Sequence, residues 1–158
     1  MAAKIIQTEK YSNMLNSEKH ASFLKHSNIV KVLMIEQGAS LSLITMELCG
    51  TTLQNRLDEA ILIKNERICI LKSITCALQF CHNAGIVHAD VKPKNILMSK
   101  NGQPKLTDFG SSVLIGAPNE IDKFYVCFYY IIWSLLLIRK IFFLGHTRIY
   151  CSRSYKTK

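Results

Sequence analysis

One stretch constrains this chain most, because charges interrupt what would otherwise be buried strands. It is Ile86-Val87-His88-Ala89-Asp90-Val91-Lys92-Pro93-Lys94-Asn95-Ile96-Leu97, followed by Lys105-Leu106-Thr107-Asp108-Phe109-Gly110. The short apolar runs before and after Asp90 read as strands. Asp90, Lys92, Asn95 and Asp108 would be costly to desolvate among them, so the fold has to present them at a cleft. Two carboxylates, an amide and an ammonium suit a polyphosphate accompanied by Mg²⁺, with oxygen ligands for the hard cation and a lysine for the phosphate charge.

The pattern His88-x-Asp90-x-Lys92-Pro93-x-Asn95, followed 13 residues after Asn95 by Asp108-Phe109-Gly110, resembles the catalytic and metal loops of eukaryotic protein kinases. The resemblance implies an α+β, two-lobed kinase-like fold, here incomplete, and ATP with Mg²⁺ as cofactors. By that match Asp90 is the catalytic base and Lys92 meets the transferred phosphoryl, while Asn95 and Asp108 ligate the metal. Lys92-Pro93 implies a serine or threonine acceptor on a protein substrate. His88 is expected to be structural, tying the loop by hydrogen bonds.

Upstream, Ala2-Ala3-Lys4-Ile5-Ile6 resembles the family's lysine-bearing strand. Residues 12–25 suit the helix that follows it, with Leu15, Phe23 and Leu24 as apolar positions and Glu18 as the ion-pair partner of Lys4. His26-Ser27-Asn28-Ile29-Val30, starting eight residues after Glu18, resembles the turn beyond that helix. Residues 29–35 and 41–47 alternate as two strands around a loop with Gly38. Met46-Glu47-Leu48-Cys49-Gly50 resembles the hinge. Met46 would then border the back of the adenine pocket, and the backbones of Glu47 and Cys49 would hydrogen-bond adenine. Ala2 and Leu97 would sandwich the ring. The glycine-rich strands that cover the phosphates in the family have no counterpart before Ala2.

The middle of the chain reads as helical. Thr51 or Thr52 caps a stretch over 51–62, and Asn65 caps a longer helix with Ile68, Leu71, Ile74, Leu78 and Cys81 facing a core. Gly85 ends that helix, and Asn101-Gly102 signals a hairpin. Ala89 stands where most of the family has Arg, removing the usual receptor for an activation-loop phosphate. Together with the eight-residue gap and Met46-Glu47, this makes the pattern most like the Mos group of oocyte serine/threonine kinases. That resemblance implies a MAP-kinase kinase substrate, within MAP kinase signalling and meiosis.

A complete kinase domain needs roughly 250 residues, above the usual domain mode, and this chain has 158. The expected division is a partial kinase domain over 1–123, with 1–48 as small-lobe remnant and hinge and 49–123 as the start of the large lobe. Residues 124–158 then form a non-kinase tail. The net charge of +9 is no nucleic-acid signal, because the last 20 residues hold six Lys/Arg and no acid. The six cysteines show no paired spacing, and with no signal peptide they read as reduced cytoplasmic thiols. The apolar run over 124–138 is short for a bilayer span. Translated non-coding sequence is the preferred reading of the tail, beside a membrane anchor or a buried helix. The chain as it stands is expected to be weak or inactive by itself, and the rival to the kinase reading is a catalytically inactive fragment or interaction module.

Overall fold

The computed structural model describes residues 1–59 and 62–114. The sequence-based assignments to the 124–158 tail, and the end of the activation loop, lie outside those residues. What is described is α+β. A small antiparallel sheet with one helix comes first, then a mainly helical part with two short antiparallel ladders.

The sheet has the order β1-β3-β2, from β1 (Ala2–Gln7), β2 (Val32–Gln37) and β3 (Leu41–Met46). Central β3 sets the register: Ala2 and Val32 flank Met46 on either side, and Lys4 lies opposite Ile44. Period-two alternation puts Lys4 and Ile6 on the face that meets helix α1 (Ser12–Ala21). Leu15, Glu18 and Ala21 recur every three residues and bury one side of α1. Leu15, Ile6 and Ile44 form the small core beneath the sheet. A glutamate buried to 5% exposure on that face needs a cation, and Lys4 supplies it.

The second part runs α2 (Leu53–Glu59), α3 (Lys64–Asn83), β4 (Ile86–Val87), a 3-10 turn (Pro93–Asn95), β5 (Ile96–Met98), β6 (Pro104–Leu106), a second 3-10 turn (Phe109–Ser111) and β7 (Val113–Leu114). β5 pairs with β6, and β4 with β7. Its core gathers Leu53, Ile70, Ile74, Leu78, Ile96 and Leu106 and takes in Ala21, Leu24 and Ile29 from the first part. Thr52 caps α2 by accepting the Asn55 N–H at 3.0 Å. Gly85, at φ 76, closes α3 in the left-handed conformation, its N–H donating to the His82 carbonyl at 2.9 Å. Gly102, at φ 75, turns the β5–β6 hairpin.

Several expectations need correction. Phe23 is 81% exposed, because α1 ends at Ala21 and helical phase no longer governs its direction. Ile68 is 39% exposed; the buried stripe of α3 is Ile70, Ile74, Ala77, Leu78 and Cys81, with Leu71 packed at its edge. Asn65 does not cap α3. It lies inside the helix, and Glu66 accepts the Ile63 N–H at 3.1 Å instead. Ile29 and Val30 are not part of β2. Ile29 bridges Leu106 in parallel, and Val30 N–H donates to the Leu106 carbonyl at 2.9 Å.

That bridge ties the two parts together. The Leu106 N–H donates to the Asn28 carbonyl at 2.8 Å, and Asn28 Nδ2 donates to the Pro104 carbonyl at 2.9 Å. The Glu47 carboxylate adds a second tie, accepting from Lys31 N–H at 2.7 Å and Lys105 Nζ at 2.8 Å. Among the described residues no helix is long and apolar enough to cross a membrane.

Candidate functional site

Where the two parts meet, a cleft of about 280 Å³ is lined by Lys4, Glu18, Met46, Asn95 and Asp108, together with Ala3, Val30, Val32, Lys94, Thr107 and Phe109. Elements far apart in sequence converge here. β1 brings Lys4, α1 brings Glu18, and the first 3-10 turn brings Asn95. The residue opening the second turn brings Asp108. Lys4 Nζ donates to Glu18 Oε1 at 2.7 Å and to Asp108 Oδ1 at 2.6 Å. One ammonium thus faces two carboxylates, leaving a surplus negative charge at the cleft wall.

The electrostatics follow from that geometry. Burial alone would lower the Lys4 pKa, but the hydrogen bonds and charges of Asp108 and Glu18 outweigh it and hold it above the ordinary lysine value. Burial would raise Asp108, yet the Lys4 hydrogen bond and charge hold its carboxyl below the ordinary aspartate value. The linkage signs are opposite. Asp108 stabilises the fold fully above its unfolded pKa near 3.8, and that contribution fades as pH falls toward the lower folded value. Lys4 stabilises fully below 10.5 and fades as pH rises through its raised folded value. Urea midpoints measured from pH 7 down to 3 should therefore fall more steeply for wild type than for Asp108→Asn; parallel curves would contradict the pairing.

The catalytic-loop candidates sit beside this wall. Asp90 Oδ2 accepts from Lys92 Nζ at 2.5 Å and from Asn95 Nδ2 at 3.0 Å. Asn95 Nδ2 also donates to the Asp90 carbonyl at 2.9 Å, so both amide hydrogens are used and the amide orientation is fixed. Asn95 Oδ1 and Asp90 Oδ1 keep no hydrogen-bond partner among the described residues. An amide oxygen and the Asp108 carboxylate are hard oxygen donors at one cleft, a pair that suits Mg²⁺ completing its shell with phosphate and water. Among the described residues no group of three His, Cys, Asp or Glu could hold a metal by itself.

His88 is fully buried and tautomerically defined. Asp90 N–H donates to Nδ1 at 3.3 Å, so Nε2 carries the proton and donates to the Thr107 carbonyl at 2.9 Å. Burial holds its pKa below the ordinary histidine value. The neutral ring clips the Asp90 loop to the strand leading to Asp108 and packs on Phe109 at 4.6 Å between centroids. Ala89 and Asp108 both hold positive φ, 61° and 63°. Left-handed backbone costs a non-glycine residue about 1 kcal/mol; Ala89 adjoins the charged Asp90, and Asp108 is itself a charged cleft residue.

Of the remaining sequence-derived candidates, Ala2, Glu47, Cys49 and Leu97 are outside the lining of this cleft. Ala2 pairs with Met46 across the sheet, and Leu97 pairs with Lys105 and bridges Thr52. The Glu47 carbonyl and Cys49 N–H have no backbone partner among the described residues, leaving a donor and an acceptor at the junction of the two parts. Burial pushes the Cys49 thiol up. Sequence reasoning missed Lys94, Val30 and Val32 as lining residues, and missed the serine pair that docks α1. In that pair Ser17 Oγ donates to the Ser112 carbonyl at 2.8 Å.

Comparison with known proteins agrees with this geometry. The profile of the protein kinase domain matches residues 1–136. Sperm motility kinase 3A of Mus musculus is 30% identical over 128 residues, covering 78% of this chain and 25% of that protein. Calcium-dependent protein kinase 6 of Plasmodium berghei (strain Anka) is 33% identical over 126 residues, 76% of this chain and 8% of that one. A serine/threonine-protein kinase of Saccharomyces cerevisiae is 53% identical over 47 residues, 30% of this chain and 7% of its own length. The chain spans about a quarter of the sperm motility kinases it matches. Since the domain profile covers most of its length, the chain belongs to the protein kinase family and carries part of that α+β domain.

Proposed function

We propose that the chain forms the nucleotide-binding and catalytic-loop part of an ATP- and Mg²⁺-dependent protein serine/threonine kinase. The observation that carries this reading is the Lys4 ammonium bonded to both Glu18 and Asp108 at one cleft with Asn95. Lys4 would take the α- and β-phosphates, Glu18 would orient it, and Asn95 and Asp108 would hold Mg²⁺. When bound, that ion supplies charge neutralisation on the phosphates. Asp90 accepts the acceptor hydroxyl's proton or orients it, and Lys92 meets the transferred phosphoryl group. Met46, Ala2 and Leu97 would contact adenine, with the Glu47 and Cys49 backbones as its hydrogen-bonding partners. In this reading residues 1–123 make up the kinase part, divided near residue 48, and the protein acts in the cytoplasm. Supporting it are a serine/threonine kinase among the relatives and the Lys92-Pro93 pair.

A narrower placement beside Mos, with a MAP-kinase kinase as substrate in meiosis, is supported by Ala89, the gap from Glu18 to His26 and Met46-Glu47. Transfer of labelled γ-phosphate from ATP to serine, threonine and tyrosine peptides, and to a MAP-kinase kinase, tests both levels. The kinase reading expects serine or threonine labelling that Asp108→Asn abolishes. Tyrosine-only labelling, or no binding of ATP by the chain at all, sinks it; a MAP-kinase kinase left unlabelled while serine peptides are labelled sinks only the narrower placement.

A further inference from the structure

Helix α1 is anchored in the first part of the molecule, where Leu15 packs with Ile6 and Ile44 beneath the sheet. The turn that follows Asp108 is anchored in the second part, through the buried Phe109. Among the described residues, the hydrogen bonds that join α1 directly to this turn and its closing residue are those of one serine pair. Ser17 Oγ donates to the Ser112 carbonyl at 2.8 Å, and Ser112 Oγ lies 3.5 Å from the Ser17 carbonyl. The two elements approach closely. A Cβ at Gly110 would stand 2.7 Å from Met14 Cγ, and Met14 lies three residues before Ser17 on the same side of the helix. At that range a side chain as short as serine reaches the turn. Ser112 is itself buried, and its N–H donates to the Phe109 carbonyl at 2.9 Å, which holds the acceptor in place.

These contacts close a ring. Asp108 opens the turn and Ser112 closes it. On α1, Glu18 directly follows Ser17, and Lys4 bonds to both Glu18 and Asp108. Helix and turn are therefore braced twice, at Lys4 and at Ser17. The two braces differ in stiffness. A lysine meets its partners through a flexible four-carbon stem, so its ion pairs persist at several separations of the two carboxylates. A serine hydroxyl bonded to a backbone carbonyl has one rotatable side-chain bond to the helix, and so tolerates far less change of spacing. We infer that Ser17 is a positioning residue of the nucleotide site, its hydroxyl setting the spacing at which Glu18 and Asp108 share the Lys4 ammonium. The inference rests on the kinase reading above and adds to that site a residue outside the lining of the cleft.

The test uses the purified chain as wild type, Ser17→Ala and Ser17→Thr, with Ser17→Ala made again in a Glu18→Gln background. Each is read by calorimetric titration of ATP with Mg²⁺ and by backbone hydrogen exchange across α1 and residues 109–112. Loss of one such hydrogen bond should weaken ATP binding about three- to tenfold in Ser17→Ala. Ser17→Thr keeps the hydroxyl and should bind like wild type. In the Glu18→Gln background Ser17→Ala should cost almost nothing more, because the group through which Ser17 acts is already gone. Exchange should quicken in α1 and in 109–112 together for Ser17→Ala, and not for Ser17→Thr. Wild-type ATP affinity in Ser17→Ala overturns the inference, as does a Ser17→Thr as weak as Ser17→Ala. So does an equal loss in both backgrounds, since Ser17 would then only stabilise the fold. If wild type binds no ATP, the kinase reading fails by itself, and exchange still decides the brace: rates unchanged in Ser17→Ala would mean that Ser17 positions nothing.

Discussion

Asp90→Asn should depress phosphoryl transfer about a hundredfold or more and leave ATP affinity close to that of wild type. The substitution keeps the shape of the side chain but removes its charge and its ability to take a proton. It also replaces one oxygen of a carboxylate that now accepts from Lys92 and Asn95. The contacts proposed for the nucleotide, Lys4 and the oxygens of Asn95 and Asp108, are not replaced. A rate loss paired with an equally large loss of ATP affinity would move Asp90 from the acceptor side of the reaction to the nucleotide side.

Lys4→Met should destabilise the chain by about 3 kcal/mol, the usual cost of removing one partner from a buried pair. Glu18 is 5% exposed, and its carboxylate would face Asp108 with no cation between them. The double variant Lys4→Met/Glu18→Gln should recover much of the loss, because the buried charge goes with its partner. Urea denaturation of wild type, Lys4→Met, Glu18→Gln and the double variant closes the cycle. A single variant as stable as wild type would show that the Lys4–Glu18 contact holds little of the fold together.

The residues that meet at the cleft were legible because their types are hard to explain otherwise. Charges among β-branched runs at Asp90 and Asp108, and a lysine within an apolar strand at Lys4, each need a partner, and the structure pairs Lys4 with Glu18 and Asp108 and Asp90 with Lys92. Gly85 and Gly102 were legible for a different reason, since their positive φ favours glycine. The failures share a cause. Phe23 and Ile68 look apolar and in phase, but periodicity says nothing about whether another element covers them. Ile29 and Val30 read as the start of a strand, yet their partner is Leu106, more than 70 positions away, and local pattern cannot see that pairing. Lys94 was overlooked because one more exposed lysine in a basic chain carries no signal; only its place on the cleft wall, beside lysines that are all paired, sets it apart.

If Lys4, Glu18, Asn95 and Asp108 make one Mg²⁺-nucleotide site, as proposed, calorimetric titration of ATP reads it out. Three titrations suffice: wild type with Mg²⁺, wild type with EDTA, and Asp108→Asn with Mg²⁺. Binding should be tightest in the first and at least tenfold weaker in the other two, since each lacks either the cation or its carboxylate ligand. Equal ATP affinity in all three would contradict the account.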